Sequence, residues 1–249
     1  MEHYQLIIAY DGTEYRGFQR QKKFITIQGE LESALRKIGW QGETIQAAGR
    51  TDTGVHASGQ VVTFFHDWPH SLTELQAALN HHLPQSIAVQ TVSTVRDDFH
   101  PRYDAVNREY KYAITISDTR QPGKERYMWR VNGALNWHTI KQTASLFLGK
   151  HDFSQFGRPV KSDGSTMREV LLSEWEQLTP IDYLYTICAD AFLYHMVRRI
   201  VYVMILVGEG RIDLQKVREA LDGKVQNITP GIAPACGLTL TKVRYNDNK

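Results

Sequence analysis

The chain has 249 residues and a mass of 28.6 kDa, and 42% of its residues are hydrophobic and 22% charged. This composition excludes an intrinsically disordered chain and is typical of a globular protein with one large domain or two small ones. The formal net charge is only +2, so a nucleic acid would have to be bound by local clusters of Lys and Arg. Two cysteines, Cys188 and Cys236, are too few for a disulfide framework or a thiolate zinc site, which favours a reducing cytoplasm.

Neither a signal peptide nor a membrane span is expected. The N-terminus MEHYQLIIAYDG lacks a basic segment and an apolar stretch of signal-peptide length. The longest apolar run, IVYVMILVG from Ile200, is about half as long as a helix that crosses a bilayer. We expect this run to form a buried helix and the protein to have no membrane partner.

The first half of the chain mixes strands and helices. YQLIIAYDG predicts a strand that ends at a glycine turn, and TIQGELESALRKIG predicts an amphipathic helix. ETIQAAG and GQVVTFFH predict two strands, which place AAGRTDTGVHAS, residues 47–58, on the loop between them. A helix near SLTELQAALNHH and strands near IAVQTVSTV and EYKYAITIS follow. A loop that is held between strands suits a catalytic group.

The second half repeats this mixture. A helix in WHTIKQTASLFLGK precedes strands near REVLLSEWEQL and YLYTICADAF, a helix from Leu193 to about Gly208, and a last strand in GLTLTKVRY. Because several strands follow one another directly, we predict an α+β fold with mixed or mainly antiparallel sheets flanked by helices. Two similar sub-domains are expected: residues 1–125 with the catalytic loop, and residues 126–249, which complete the active-site cleft.

The loop contains Asp52-Thr53-Gly54, the pattern of an aspartic protease. Such an enzyme needs two carboxylates that share a proton, each on a loop entered from an apolar strand. Here Arg50 lies two residues before Asp52, and no second Asp-Thr-Gly or Asp-Ser-Gly follows, so a protease is a remote alternative. Asp52 alone would simply cap a turn. Because Arg50 and His56 accompany Asp52 on one loop of mostly small residues, the pattern indicates a ligand site instead.

No metal site is predicted. His66 and His70 have helix-like spacing, but Pro69 between them argues against a helix. His81 and His82 are adjacent and would face different ways on any regular element. These histidines therefore do not form the convergent ligand set that a bound metal needs.

The motif AGRTDTGVHA resembles the signature of the TruA-type tRNA pseudouridine synthases. Further blocks follow in the family's order: YDGTEYRGFQRQ, TIQGELESAL, ALNHHLP, FHPRYDAVNREYKYAI, HDFSQFG, FLYHMVRRIV and GLTLTKVRY. The resemblance implies the pseudouridine synthase fold and a cytoplasmic homodimer without metal or organic cofactor. It also implies the isomerisation of uridine to pseudouridine at positions 38, 39 and 40 in the anticodon stem and loop of tRNA.

The same resemblance assigns roles to individual residues. Asp52 matches the essential nucleophile or base, and Tyr110 matches a tyrosine that stacks on the target base and is a candidate for proton removal at C5. Arg198 matches the arginine that pairs with the catalytic aspartate. Arg50 matches the residue that helps to displace the base, and Leu238 matches a leucine that packs against the uracil. His56, on the loop itself, is expected to contribute to substrate binding.

These roles agree with the chemistry of the side chains. The target base has to leave its stack, rotate and be held without escaping. A carboxylate could attack C6 of the uracil, attack C1′ of the sugar or remove the C2′ proton, and each route requires the ionised form that a paired guanidinium favours. The sequence leaves these three routes open.

Five residues depart from the usual family blocks: Ala189, Asp190, Arg199, Tyr202 and Cys236. They leave Asp52, Tyr110 and Arg198 intact, so we expect the activity to be retained, while the sequence leaves open which uridines are accepted. The main alternative is a non-catalytic RNA-binding protein of the same fold, against which the intact Asp52 and Tyr110 argue. A second copy with its own specificity is a further alternative.

Overall fold

The computed structural model describes residues 1–159, 164–225, 227–228 and 231–246. Its elements in chain order are β1 (Glu2–Tyr10), α1 (Ile27–Lys37), β2 (Gln46–Ala47), β3 (His56–His66), α2 (Leu72–His82), β4 (Ile87–Thr94), β5 (Ala105–Ile116), β6 (Trp129–Val131), α3 (Trp137–Leu146), β7 (Gly149–Asp152), β8 (Met167–Gln177), β9 (Asp182–Ala189), α4 (Met196–Gly208), α5 (Leu214–Leu221) and β10 (Leu238–Tyr245). A 3-10 turn, Ala235–Gly237, precedes β10. The mixture confirms the predicted α+β class.

The chain folds into two compact units. Unit 1 consists of Met1–Val106 and Thr239–Lys249, and unit 2 consists of Asn107–Leu238. The C-terminal strand belongs to unit 1 because β10 pairs with β3. Most of β5 belongs to unit 2 because it pairs with β9 over most of its length. The boundaries of the two units therefore differ from those of the sub-domains expected from the sequence, residues 1–125 and 126–249.

Unit 1 is built on a sheet with the strand order β4-β1-β3-β10, and the short β2 also pairs with β3. β1 is antiparallel to β3 and β4, whereas β10 is parallel to β3. Alternation along β1 buries Tyr4, Leu6 and Ile8, because successive side chains of a strand point to opposite faces. β3 is buried along nearly its whole length. A rigid strand therefore begins where the loop with Asp52 ends.

Both predicted helices of unit 1 are confirmed, and each begins at a capping residue. The Thr26 side chain accepts a hydrogen bond from the Gly29 amide at the start of α1. Ser71 and Glu74 form a reciprocal capping box at the start of α2. Of the five apolar positions that make the predicted helix amphipathic, Ile27, Leu31, Ala34 and Leu35 are buried, whereas Ile38 follows the end of α1 and is half-buried.

The helix α1 also carries a fully buried carboxylate, Glu32. Its Oε1 accepts hydrogen bonds from the Gln28 side chain at 2.8 Å, the Thr44 hydroxyl at 3.2 Å and the Ile45 amide at 3.3 Å. Its Oε2 pairs with the guanidinium of Arg20. One side chain therefore joins α1 to the segment that precedes it and to the segment that leads into β2.

Unit 2 is built on an antiparallel sheet with the strand order β5-β9-β8-β7, and β6 is added parallel to β5. Ten of the 13 residues of α4 are buried, which confirms that the apolar run from Ile200 forms a buried helix. Within the described ranges, no helix combines the length and the apolar character that a membrane span requires.

Three elements of unit 2 are not predicted by the sequence pattern: β6, β7 and α5. The two strands span three and four residues, which is too short for a period of two to be read. The helix spans eight residues and begins at Asp213, whose side chain accepts a hydrogen bond from the Gln215 amide. Such short elements depend on their tertiary neighbours more than on local preference.

Replacing Glu32 with alanine should lower the free energy of unfolding by about 3 kcal/mol, because the amide and hydroxyl donors around it would stay buried without an acceptor. Glu30 is the matched control, since it lies on the same helix and is only partly buried. Glu30→Ala should cost less than about 1 kcal/mol. Urea titration measures both losses, and equal losses would show that Glu32 is not a structural centre.

Candidate functional site

Asp52 lies on the loop of residues 48–55, which connects β2 to β3 as predicted. The loop is tied to β3 at its start, where the Ala48 amide donates to the Val61 carbonyl at 2.9 Å. The Gln60 side chain donates to the Gly49 carbonyl at 3.0 Å. Asp52 itself is half-buried. The loop therefore presents its carboxylate from a backbone that a central strand holds.

A tight turn closes the loop directly after Asp52. The Val55 amide donates to the Asp52 carbonyl at 3.1 Å, and Gly54 adopts φ of +78°. Glycine suits this turn because a positive φ is costly for residues with a Cβ atom. The geometry of this turn therefore explains the glycine of Asp52-Thr53-Gly54 without any protease chemistry.

The segment Asp11–Phe18, between β1 and α1, covers this loop. The Phe18 amide donates to the Thr51 carbonyl at 3.0 Å, and the Gly54 amide donates to the Tyr15 carbonyl at 3.4 Å. This segment lies within the family block YDGTEYRGFQRQ, but the sequence pattern does not indicate that it contacts the Asp52 loop. Its signal is the pair Gly12 and Gly17, although only the structure shows which backbone they approach.

Arg50 and His56 were both predicted on this loop, but only Arg50 lies there, because His56 is the first residue of β3. Arg50 is exposed and immediately precedes the buried Thr51. His56 is only 4% exposed, and its Nδ1 lies 3.0 Å from the Gly12 amide nitrogen and 3.2 Å from Asp11 Oδ1. The Gly12 amide donates to Nδ1. His56 therefore links β3 to the covering segment.

The strand β5 of unit 2 carries two tyrosines on one face, Tyr110 and Tyr112. Tyr112 is fully buried, and its hydroxyl donates to the Pro234 carbonyl at 2.8 Å. Burial, and then the nearby Cys236, raise the pKa of the Tyr112 phenol well above its ordinary value. Tyr110 is half-buried, and its ring meets the edge of Phe192 at 5.0 Å between centroids. Of these two tyrosines, Tyr110 is therefore the one with an accessible side chain.

Arg198 lies in the first turn of α4. Its Nε–H donates to the Ala233 carbonyl at 2.7 Å, and the Ala233 amide donates to the Arg198 carbonyl at 3.2 Å. The segment that leads to β10 therefore fixes the direction of this guanidinium. His195, which precedes α4, has φ of +67°, an uncommon left-handed conformation for a residue with a Cβ atom.

Leu238 is the first residue of β10 and is 6% exposed. It follows Gly237, where a Cβ atom would lie 2.7 Å from the Tyr112 ring and 2.8 Å from the Ala113 carbonyl oxygen. The absence of a side chain at Gly237 therefore lets this segment approach β5. Leu238 is a buried apolar residue, as the sequence alone would suggest for a strand.

Two of the residues that depart from the family blocks have structural partners. Asp190 Oδ1 accepts hydrogen bonds from the Glu169 amide at 3.1 Å and the Ala191 amide at 2.6 Å. Its carboxylate therefore caps the backbone where β9 ends, after Ala189. Tyr202 lies with its ring against the backbone of Gly231, where a Cβ atom would come within 2.8 Å of the ring.

Two further departures lie close to the residues already described. Cys236 is half-buried, and burial raises the pKa of its thiol, which keeps the sulfur protonated and weakly nucleophilic. Arg199 is half-buried, and its amide donates to the carbonyl of His195 at 3.1 Å. Nothing in the structure explains why arginine stands at this position.

A basic hairpin, residues 16–25, projects from the segment that covers the Asp52 loop. The Arg16 amide donates to the Ile25 carbonyl at 3.0 Å, and a bridge joins Gln21 to Phe24. Lys22 and Lys23 at its tip are exposed. Phe24 and Ile25 are 52% and 65% exposed, and the Arg16 guanidinium lies 5.5 Å from the centre of the Phe24 ring. This surface combines positive charge with an exposed aromatic ring.

The part of the chain that the structure describes contains no candidate metal site. No group of three or more His, Cys, Asp or Glu side chains converges there in a way that could hold a metal ion. In the HDWPH segment, the His66 ring is close to Trp68, and Trp68 in turn contacts His70 edge-on.

The comparisons with known proteins match both units. A family model described as tRNA pseudouridine synthase matches residues 6–104 and 143–246, which include Asp52, Arg198 and Leu238 but not Tyr110. The chain is 38% identical over 247 residues to tRNA pseudouridine synthase A of Chloroflexus aurantiacus, with 96% of this chain and 87% of the relative covered. It is 37% identical over 248 residues to tRNA pseudouridine synthase A of Thermoanaerobacter pseudethanolicus, with 98% and 100% covered.

A third relative agrees with the first two, at lower identity. The chain is 35% identical over 251 residues to tRNA pseudouridine synthase A of Maridesulfovibrio salexigens, with 99% of this chain and 92% of the relative covered. The resemblance read from the sequence blocks is therefore confirmed over nearly the whole length. With the model matched in both units and these relatives above 30% identity, the chain belongs to the tRNA pseudouridine synthase family.

Proposed function

We propose that this protein isomerises uridine to pseudouridine in tRNA, at positions 38, 39 and 40 of the anticodon stem and loop. The observation that carries the proposal is the family match across the Asp52 loop, combined with the rigid support of that loop. The reaction breaks the bond between N1 of the base and the sugar and rejoins the same ring through C5. The tRNA pseudouridine synthase A relatives support tRNA as the substrate.

In this proposal the Asp52 carboxylate begins the reaction. It attacks C6 of the uracil, attacks C1′ of the sugar or removes the C2′ proton, and each of these routes needs an ionised carboxylate. Arg198 supplies the opposite charge, and its Nε–H bond to the Ala233 carbonyl supports a fixed guanidinium direction. Arg50, which is exposed, fills the space that the displaced base leaves and binds phosphate or base edges.

The flipped base is held by apolar and aromatic side chains. Tyr110 offers a flat ring for stacking and a phenol for removing the proton at C5. Its half-buried ring supports this role better than the fully buried Tyr112 does. Leu238 packs against the uracil. His56 is buried against Gly12, so it contributes to substrate binding indirectly, by supporting the loop, and not by contacting the substrate.

The basic hairpin supports binding of the tRNA backbone. Lys22 and Lys23 supply charge for phosphates, and Phe24 supplies an exposed ring on which an unpaired base can stack. The net charge of only +2 requires this kind of local concentration. The proposed tRNA-binding surface therefore lies in unit 1, on a hairpin that adjoins the segment covering Asp52 in the sequence.

Replacing Asp52 separates chemistry from binding. Asp52→Asn should reduce the single-turnover rate to below a few per cent of wild type, because an amide is not a nucleophile or a base here. Its tRNA affinity should stay within about tenfold, since basic side chains supply most of the binding. The measurement is release of tritium from tRNA labelled at uridine C5, together with filter binding. A substantial residual rate would remove Asp52 from the mechanism.

The matched control changes the basic hairpin instead. A double variant, Lys22→Gln with Lys23→Gln, should weaken tRNA binding and make it less dependent on salt. The logarithmic slope should fall by about 0.7 to 0.9 for each phosphate that the variant no longer binds. Its single-turnover rate at saturating tRNA should equal that of wild type. The same assay tests the alternative of a non-catalytic RNA-binding protein, which predicts tRNA binding with no tritium release from the wild type.

Tyr110→Phe tests the phenol apart from the ring. Phenylalanine keeps the stacking surface, so the affinity for tRNA should be unchanged while release of the C5 proton slows by about 100-fold or more. Tyr112→Phe is the matched control, because it removes a hydroxyl from the same strand face that is bound to the Pro234 carbonyl. A normal proton-release rate for Tyr110→Phe would exclude the hydroxyl from the chemistry.

We also propose that the protein acts as a homodimer in the cytoplasm. A tRNA arm is large for a cleft that one 28.6 kDa chain could form, so a second copy would bind distant phosphates. Arg120 and Arg126 are exposed and support such contacts. Cys188 and Cys236 are both thiols, which suits a reducing compartment.

Light scattering at the concentration used for the activity assay tests the dimer. The expected mass is about twice that of one chain. A monomer that is fully active at that concentration would contradict the proposed assembly without affecting the proposed reaction.

A further inference from the structure

The backbone around Asp52 is packed against a glycine of the covering segment. Gly17 has φ of +86°, and a Cβ atom placed on it would lie 2.9 Å from the Thr51 carbonyl oxygen. The same atom would lie 3.3 Å from the Thr53 amide nitrogen and 3.4 Å from the Asp52 carbonyl carbon. These atoms belong to both peptide bonds of Asp52. Gly17 therefore touches the aspartate through its main chain on either side.

The covering segment is held from its other side by α1. The Ile27 amide donates to the Gly17 carbonyl at 3.3 Å, and the Gln28 amide donates to the Phe18 carbonyl at 2.9 Å. On the loop side, the Phe18 amide donates to the Thr51 carbonyl at 3.0 Å. Residues 17–18 thus lie between the start of a helix and the Asp52 loop. A side chain at position 17 would have to displace the Thr51–Thr53 backbone, which it would approach to 2.9 Å.

A buried side-chain contact reinforces this arrangement. The hydroxyls of Tyr10, at the end of β1, and Thr51 are hydrogen-bonded at 2.8 Å. Tyr10 is 4% exposed and Thr51 7%. The residue immediately before Asp52 is therefore fixed through its carbonyl by Phe18 and through its side chain by Tyr10.

Resting on the proposed function of Asp52, the structure assigns Gly17 and Tyr10 as positioning residues that hold the Thr51–Asp52 backbone where the carboxylate can react. Neither residue needs to touch the uridine. A displacement of about 1 Å at a reacting group costs on the order of 100-fold in rate, although substrate binding through distant contacts is unaffected. Gly17 and Tyr10 should therefore act on the chemical step and not on tRNA affinity.

The main test compares Gly17→Ala with Gly39→Ala. Gly39 has φ of +91° but no atom within 4 Å of an added Cβ, so its substitution imposes the backbone strain without the contact. Both variants should bind tRNA within about threefold of wild type. The single-turnover rate of Gly17→Ala at saturating tRNA should fall by about 100-fold, whereas that of Gly39→Ala should match wild type. Equal rates for the two folded variants would overturn the inference.

Tyr10→Phe decides the matter if Gly17→Ala does not fold. This change adds no atom and removes only the hydroxyl that is bonded to Thr51, so we expect about a tenfold slower single turnover with unchanged affinity. Tyr4→Phe is the control, because it removes the phenol that donates to Glu2 elsewhere on β1. A Tyr10→Phe rate equal to that of Tyr4→Phe would reject the positioning role.

Wild type and Asp52→Asn are measured in the same experiment. If wild type releases no tritium from labelled tRNA, the proposed reaction fails. If wild type is active and Asp52→Asn is not, while Gly17→Ala and Tyr10→Phe turn over at the rates of their controls, only the positioning inference fails.

Discussion

The hydrogen bond from the Phe18 amide to the Thr51 carbonyl is the contact on which the arrangement of Asp52 depends. A loop of small residues such as 48–55 has many conformations, and ordering each residue costs on the order of 1–2 kcal/mol. That cost is offset by main-chain bonds at both ends of the loop and by the covering segment over its middle. The small side chains that make the loop intrinsically mobile also let the two backbones come into contact.

The support extends outward from this contact to the hydrophobic core of unit 1. Phe18 and Gly17 are bonded to the first turn of α1, and α1 is bound through Glu32 to Arg20 and to the segment before β2. The loop itself ends in β3, a central strand of the sheet. A carboxylate that reacts must be directed within a fraction of an ångström, and a chain of buried bonds to rigid elements supplies that restraint.

In unit 2, burial differs between residues that look equivalent in the sequence, and this difference separates their structural roles. Tyr110 and Tyr112 share a strand face, yet Tyr112 is used to hold the segment before β10 through Pro234. Asp190 and Tyr202 depart from the family blocks, but the Asp190 carboxylate accepts from backbone amides, and the Tyr202 ring packs on Trp129 and Gly231. Departures of this kind are accommodated by local structure, which is a physical reason for a family activity to survive them.

The family followed from the sequence alone, because the order of short blocks along the chain is visible without coordinates. The longer elements were also predicted: α1 has a readable apolar periodicity, α4 contains a long apolar run, and the sequences of β1 and β5 alternate over part of their length. Asp52 was correctly expected on a loop between two strands, because strand patterns lie on both sides of it.

Only the tertiary structure decided which residues support Asp52. Gly17 looks like any turn glycine in the sequence, and its contact with Thr51 joins residues 34 positions apart that no periodicity relates. The short elements β6, β7 and α5 were not predicted for the same reason, since their stability comes from neighbours distant in the chain. The return of β10 to unit 1 likewise depends on its pairing with β3. Local propensity is a property of neighbouring residues, whereas packing and strand pairing are properties of the folded chain.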